Sequence, residues 1–219
     1  DTALTNKRVE GSVTDLVRAA RLQSKGTKLT FPIATFAYWQ IISNKRSRIS
    51  ELKQLSDKMI AITRYSATDY LATLAIDSVH PKYDVYRVQI NDVNIRLKML
   101  LNNEMDAVLL SEPQATRARL EGHVKLMDSR DKNVRLGVFA FRTEALKKPR
   151  RKQQLDLFIK AYNMAVDSIN KNGVQHYKNL IIKNCGVDAR TVDALPKLRY
   201  QHAGSPRKHD RNIANSIKN

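Results

Sequence analysis

Four turns in this chain place hydroxyls, carboxylates or free backbone N–H groups at the start of a helix: Thr14-Asp15, Arg64-Tyr65-Ser66-Ala67-Thr68, Asn91-Asp92 and Ser111-Glu112-Pro113. Groups of this kind hold a ligand rather than break bonds. A helix N-terminus carries roughly half a positive charge and unpaired N–H donors, so Ser66 to Thr68 suit an anion or a strong acceptor. Arg64, turned inward, adds a planar and permanently charged fork. Glu112 suits a ligand amine or ring N–H. The expected ligand-binding set is therefore Thr14, Asp15, Arg64, Tyr65, Ser66, Thr68, Asp92, Ser111 and Glu112. The plainer alternative is that Asp15, Ser66, Asp92 and Ser111 only cap their helices, at about 1 kcal/mol each. Four such turns in related units favour a shared cleft.

Catalytic and metal chemistry find less support. The histidines His80, His123, His176, His202 and His209 are scattered, and none stands at a metal-ligand spacing such as His-x-x-x-His. No Gly-x-Ser-x-Gly elbow, phosphate loop or dinucleotide glycine fingerprint occurs. The lone Cys185 excludes an intrachain disulfide and a Cys-rich metal site. No enzyme activity, metal or cofactor is expected. Glu10 and Asp106 fit structural roles better than an acid pair, and Tyr38-Trp39 fits hinge or core packing better than a ligand platform.

The net charge of +18, from 39 basic and 21 acidic residues, raises the question of nucleic acid. The basic residues are spread over most of the chain. Their densest groups, Lys45–Arg48, Lys147–Lys152 and Arg207–Arg211, fall where turns and tails are expected. With no zinc-finger spacing, RNA platform or leucine zipper beside them, a solvated basic surface is the expectation, and no specific nucleic acid is expected as a partner.

An internal echo organises the chain. Leu4–Gly26 and Leu100–Gly122 align without a gap at an offset of 96, with five of 23 positions identical: Leu4/Leu100, Asn6/Asn102, Ala19/Ala115, Arg21/Arg117 and Gly26/Gly122. Each copy reads as a helix end, an Asn stop, an apolar strand with one acid, a polar turn, and a helix closed by glycine. A spacing this long is not a solenoid; it suits two α/β lobes built alike. Strands are expected at 9–13, 28–31, 38–43, 59–63, 83–89, 105–110, 124–127 and 136–141. Helices are expected at 15–25, 50–55 (capped by Ser50), from Ser66 through about Asp77, at 92–102, from Pro113, from Gln153, at 175–183, and as a last short piece in the tail. Strands alternating with helices imply parallel, doubly wound sheets.

The runs MIAITRYSATDYL (59–71), VQINDVNIRLKMLLNNEMDAVLLSEPQATRARLEG (88–122), LGVFAFRTEAL (136–146) and FIKAYNMAVDSIN (158–170) resemble the solute-binding proteins of ABC importers. The group is the nitrate/sulfonate/taurine and thiamine-pyrimidine one, with the type II periplasmic binding fold. The Leu-Leu-x-x-x-x-Asp-Ala…Glu-Pro pattern of Leu100–Pro113 is its best marker. The resemblance implies two lobes joined by a two-stranded hinge: residues 1–43 as the first part of lobe I, 44–139 as lobe II, and 140–219 as the return to lobe I with C-terminal helices. It also implies that an upstream βαβ segment of lobe I, part of the binding wall, lies outside this sequence. The implied function is capture of a small polar or anionic molecule in the interlobe cleft by a monomer. Delivery to an ABC permease in the membrane follows, with the protein periplasmic or lipid-anchored on the outer face of the cytoplasmic membrane. Thiamine-pyrimidine synthases share the fold, but their cysteine-rich motif is absent. The alternative is the ligand-sensing effector domain of a LysR-type transcription regulator, which uses the same two-lobe fold.

Overall fold

The computed structural model describes residues 1–217. In chain order its elements are α1 (Thr2–Thr5), β1 (Gly11–Asp15), α2 (Leu16–Ser24), β2 (Leu29–Ala34), β3 (Gln40–Ser43), β4 (Met59–Ile62), α3 (Ala67–Asp77), β5 (Tyr86–Gln89) and α4 (Val93–Leu101). There follow β6 (Ala107–Leu110), α5 (Gln114–Leu120), β7 (Val124–Asp128), β8 (Gly137–Arg142), α6 (Thr143–Leu146), α7 (Pro149–Asn172), α8 (Lys178–Cys185), α9 (Ala189–Asp193) and α10 (Lys208–Ser216). Two sheets result. One is three-stranded, in the order β1-β8-β2; the other is five-stranded, in the order β5-β4-β6-β3-β7.

The expected parallel pairing holds only for β5-β4-β6; β3 pairs antiparallel with both β6 and β7, and β8 antiparallel with both β1 and β2. The chain changes sheet between Ala34 and Gln40, ahead of Ser43, and changes back between Asp128 and Gly137. Other boundaries shift for local reasons. β2 runs through Pro32, which was expected to end it, because the ladder with β8 changes register between Thr30 and Ile33; an edge strand with a bulge tolerates the missing donor. Ser50 does not cap the short helical turn at Leu52–Leu55. Glu51 does, in a reciprocal capping box with Gln54. Pro113 stands at the cap of α5 rather than in its first turn. α7 begins at Pro149, because the basic run there is a helix start with proline at its first position.

The 96-residue echo is present in the backbone. Asn6 and Asn102 both end a helix, with φ/ψ of −82/9 and −85/4 degrees. The next residues, Lys7 and Asn103, are both left-handed. The Arg8 N–H reaches the Ala3 carbonyl at 2.9 Å, and Glu104 reaches Met99 at 2.8 Å. Downstream, Gly26 and Gly122 take φ of +94° and +86°. Thr27 and His123 each donate to a carbonyl five residues back, at 3.1 Å in both copies. The copies differ at the turn: α2 follows β1 directly, whereas Glu112-Pro113 delay α5 by two residues. The same offset carries β3 onto the start of β8, and each lies between two strands of the other copy: β3 between β6 and β7, β8 between β1 and β2.

Both faces of the five-stranded sheet are buried at its inner strands β4, β6 and β3, which read as nearly continuous apolar runs, whereas the edge strands β5 and β7 are partly exposed and mixed in composition. Ile41, Ile60, Ile62 and Leu109 face α3, through Leu71, Ala72 and Ala75, and also meet Leu16 and Val17 of α2 and Val138 of β8. Ile42, Ala61, Val108 and Leu110 face Leu97, Leu100, Ala115 and Ala118 of α4 and α5. One core therefore runs from the larger sheet into the smaller.

His123 is buried behind α5, and its Nδ1 accepts the Lys45 N–H at 3.2 Å. Burial, then the Lys45 charge, push its pKa below the usual histidine value. The imidazole is thus neutral in the fold, and stability is lost as pH falls from about 6.5, where the unfolded chain takes up the proton first. The melting temperature of the native chain should fall more steeply below that pH than that of His123→Asn; equal slopes in pH-dependent melting curves would remove this residue from the acid response.

Candidate functional site

Segments 35–39 and 129–136 cross between the sheets side by side. The Ser129 N–H donates to the Trp39 carbonyl at 2.9 Å, and the Trp39 N–H donates to Ser129 Oγ at 3.0 Å. Asp210 fixes the second crossing from the C-terminal side. It accepts the Arg135 N–H at 3.0 Å and two Arg207 hydrogen bonds at 2.7 and 2.9 Å.

Above these crossings lies a cleft of about 620 Å³, within the usual range for small-molecule sites. Thr35, Phe36 and Tyr38 of the first crossing, Arg130 and Arg135 of the second, Ser111 and Glu112 before α5, Tyr162 of α7, and Lys197–Tyr200 of the C-terminal segment line it.

A polar network sets one wall. The Tyr38 hydroxyl donates to Glu112 Oε1 at 3.1 Å, as does Arg119 Nη2 at 3.1 Å, while the Thr116 N–H donates to Oε2 at 2.9 Å. Arg119 also donates to Gln40, whose amide donates to Asp128 Oδ2 at 2.7 Å. Asp128 accepts the Arg130 guanidinium in a two-point pair at 2.9 and 2.6 Å, and Arg130 lies 3.9 Å over the Tyr38 ring. Burial would raise the Asp128 pKa, but the Arg130 and Gln40 hydrogen bonds outweigh it and hold the carboxyl below the usual range. Burial, then the neighbouring Glu112 carboxylate, raise the Tyr38 pKa, so this hydroxyl stays a donor.

The cleft's net charge comes from elsewhere. Glu112 is matched by Arg119 and Arg130 by Asp128. Arg135, Lys197 and Arg199 make no salt bridge among the described residues. Three cations without a carboxylate partner among the described residues make the cleft lining electropositive, which favours a negatively charged occupant over a positive one. Arg135 is oriented by stacking at 4.5 Å over Phe36, which leaves guanidinium N–H edges for a bidentate acid group.

Of the residues singled out from sequence, Ser111 and Glu112 line this cleft, and both Glu112 oxygens already accept internal donors. Four of the others serve helix starts. Asp15 caps α2 through the Arg18 N–H at 3.0 Å, and burial raises its pKa. Ser66 caps α3 and is bonded to Thr68, which accepts the Thr63 N–H at 2.9 Å. Asp92 caps α4 at 2.7 and 3.2 Å. Tyr65 is left-handed, with its ring under the Arg21 guanidinium at 3.7 Å. Arg64 borders a separate hollow of about 740 Å³ beside the end of α3. The Thr14 hydroxyl oxygen is buried and has no hydrogen-bond partner among the described residues.

Phe36, Arg130, Arg135, Tyr162, Lys197, Arg199 and Tyr200 were missed. No local pattern marked them: Lys197, Leu198, Arg199 and Tyr200 lie in an irregular segment, yet all four line the cleft. Among the described residues no group of His, Cys, Asp and Glu is placed to hold a metal ion, and no helix is long and apolar enough to cross a membrane.

No protein-family model and no curated protein matches the chain in sequence. Solved structures do match in shape. The periplasmic aliphatic sulphonate binding protein of Escherichia coli superposes with a TM-score of 0.75 at 16% identity, over 97% of this chain and 74% of its own. The alkanesulfonate-binding protein of Xanthomonas axonopodis pv. citri, bound to MOPS, gives 0.76 at 16% identity, over 98% and 74%. The ligand-binding component of an ABC-type import system from Staphylococcus aureus gives 0.76 at 15%, over 97% and 74%. Two mixed α/β units exchanging strands around a cleft, and superposing at this level over nearly every residue, identify the chain as having the type II periplasmic binding fold.

Proposed function

We propose that this protein is a solute-binding protein of an ABC importer, capturing a small anionic molecule between its two units and presenting it to a membrane permease outside the cytoplasm. The observation that carries this reading is the set Arg135, Lys197 and Arg199, unmatched by carboxylates in a cleft of about 620 Å³ between the two sheets. The neighbouring structures titled as sulfonate binders and as an import component support it. In this reading the lobes divide by sheet membership. Residues 1–34 with 137–217 surround the smaller sheet, 40–128 the larger, and the two crossings form the hinge. Ser111 and Glu112 contribute from the larger lobe, Glu112 as the anchor of Tyr38 rather than as an acceptor for the ligand. The network of Tyr38, Glu112 and Arg119 ties a hinge strand to that lobe and fixes the angle at which the cleft opens.

Calorimetric titration with a panel of small sulfonates, phosphonates and carboxylates, each with a neutral isostere, tests the reading. At least one anion should bind and its isostere should not. Arg135→Gln combined with Arg199→Gln should weaken the bound anion about 100-fold, or roughly 2.7 kcal/mol, with the circular dichroism spectrum retained. A double variant that binds the anion as well as the parent does would remove the cleft from the function.

A further inference from the structure

Four aromatic side chains face the cleft, and two of them carry a cation: Phe36 under Arg135 and Tyr38 under Arg130. Tyr162 and Tyr200 differ, since among the described residues no guanidinium or ammonium stacks on either ring. Both are nevertheless fixed in place. Tyr162 meets Phe139 edge-on, with centroids 5.7 Å apart at 75°. Tyr200 is locked at its backbone by Asn170: its N–H donates to Oδ1 at 2.9 Å, and its carbonyl accepts from Nδ2 at 2.8 Å. Tyr162, anchored by its ring, and Tyr200, anchored by its backbone, thus line the same cleft as Arg135, Lys197 and Arg199. A rigid aromatic surface of this kind offers a flat ligand contact area at little entropic cost, and offset or edge contacts reward a second ring beyond simple burial.

We infer that the ligand is an aromatic acid: a planar ring seated against Tyr162 and Tyr200, its sulfonate, phosphonate or carboxylate group held by Arg135 and Arg199. This rests on the anion-capture reading above and adds the ring. An aliphatic acid of the same charge engages the cations but makes no ring-to-ring contact with the tyrosines.

Benzenesulfonate and hexane-1-sulfonate carry six carbons and one charge each, so the pair isolates the ring. In calorimetric titrations of the full chain, benzenesulfonate should bind at least about tenfold more tightly, with a change in tyrosine fluorescence that hexane-1-sulfonate does not produce. Tyr200→Leu should weaken benzenesulfonate about tenfold, and Tyr200→Phe, which keeps the ring, should restore it. Equal or tighter binding of hexane-1-sulfonate overturns the aromatic seat and leaves anion capture standing. If benzenesulfonate does not bind at millimolar concentration to protein shown to be folded by circular dichroism, and benzoate and phenylphosphonate do not either, the aromatic seat falls; if no aliphatic anion of the panel binds as well, anion capture falls with it. The wild-type comparison decides the matter even if Tyr200→Leu does not fold.

Discussion

Arg96→Met should destabilise the protein by about 3 kcal/mol, the cost of stripping a buried charged donor from several acceptors. Arg96 is only 4% exposed and forms no salt bridge among the described residues. Its guanidinium donates to the carbonyls of Leu109 at 2.8 Å and Ile90 at 2.6 Å, and to Thr63 Oγ1 at 3.1 Å. Those acceptors lie at or just beyond the ends of β6, β5 and β4, so one side chain from α4 ties all three parallel strands. Burial pushes its pKa down to about 10, opposed by Asp92, and it remains charged at neutral pH. Methionine matches the stem and fills the space, but it leaves the acceptors without donors. For a chain of this length the loss corresponds to about 6–12 °C in melting temperature. Arg96→Lys, which keeps the charge without the planar fork, should fall between. Thermal melts followed by circular dichroism give the answer; a drop of less than about 1 kcal/mol would mean that water replaces the guanidinium.

The second large effect concerns Gly137, where β8 enters the smaller sheet beside the first crossing. A Cβ there would lie 2.2 Å from Thr35 Oγ1 and 2.9 Å from the Ala37 Cβ. The threonine hydroxyl can rotate away, but the alanine carbon moves only with its backbone. That backbone is held, because the Thr35 N–H donates to the Gly137 carbonyl at 2.8 Å. Gly137→Val should therefore cost about 3 kcal/mol through overpacking, and should weaken anion binding because residues 35–38 form the floor of the cleft. Gly204→Ala is the control: nothing lies within 4 Å of the added carbon, and the change should stay within about 0.5 kcal/mol. Denaturant melts of the two variants test both statements. A valine at 137 tolerated as well as an alanine at 204 would show that the crossings part easily.

The difference between what was legible in the sequence and what was not follows the range of the interactions. Strands such as Met59–Ile62 and Ala107–Leu110 announce themselves because every residue is apolar and, Met59 apart, every residue is buried. The paired helix ends at Asn6 and Asn102 are legible because a left-handed residue and a glycine closure are local chemistry. Asp15, Ser66 and Asp92 were recognisable as helix-start residues for the same reason, and the structure shows each one bonded to its own helix. The wall of the cleft is another matter. Arg135, Tyr162 and Arg199 come from a crossing, a helix and an extended tail, and no periodicity connects them. The basic run near Arg150 read as a turn because its charges hid a helix whose apolar stripe begins only at Leu155. Pairing direction was also hidden: β3 and β8 leave their own copy, and alternation of apolar residues does not say which neighbour a strand will choose.

That exchange separates the unit of repetition from the unit of folding. Each sheet takes one strand from the opposite copy, β8 between β1 and β2 and β3 between β6 and β7, so neither copy closed on itself would reproduce the sheet observed, and a chain reduced to one copy would have to find the missing strand in a second molecule, as domain-swapped dimers do. The two copies are therefore structurally interdependent. Two segments that share only five identities in 23 positions are bound to one another by strands that neither supplies for itself.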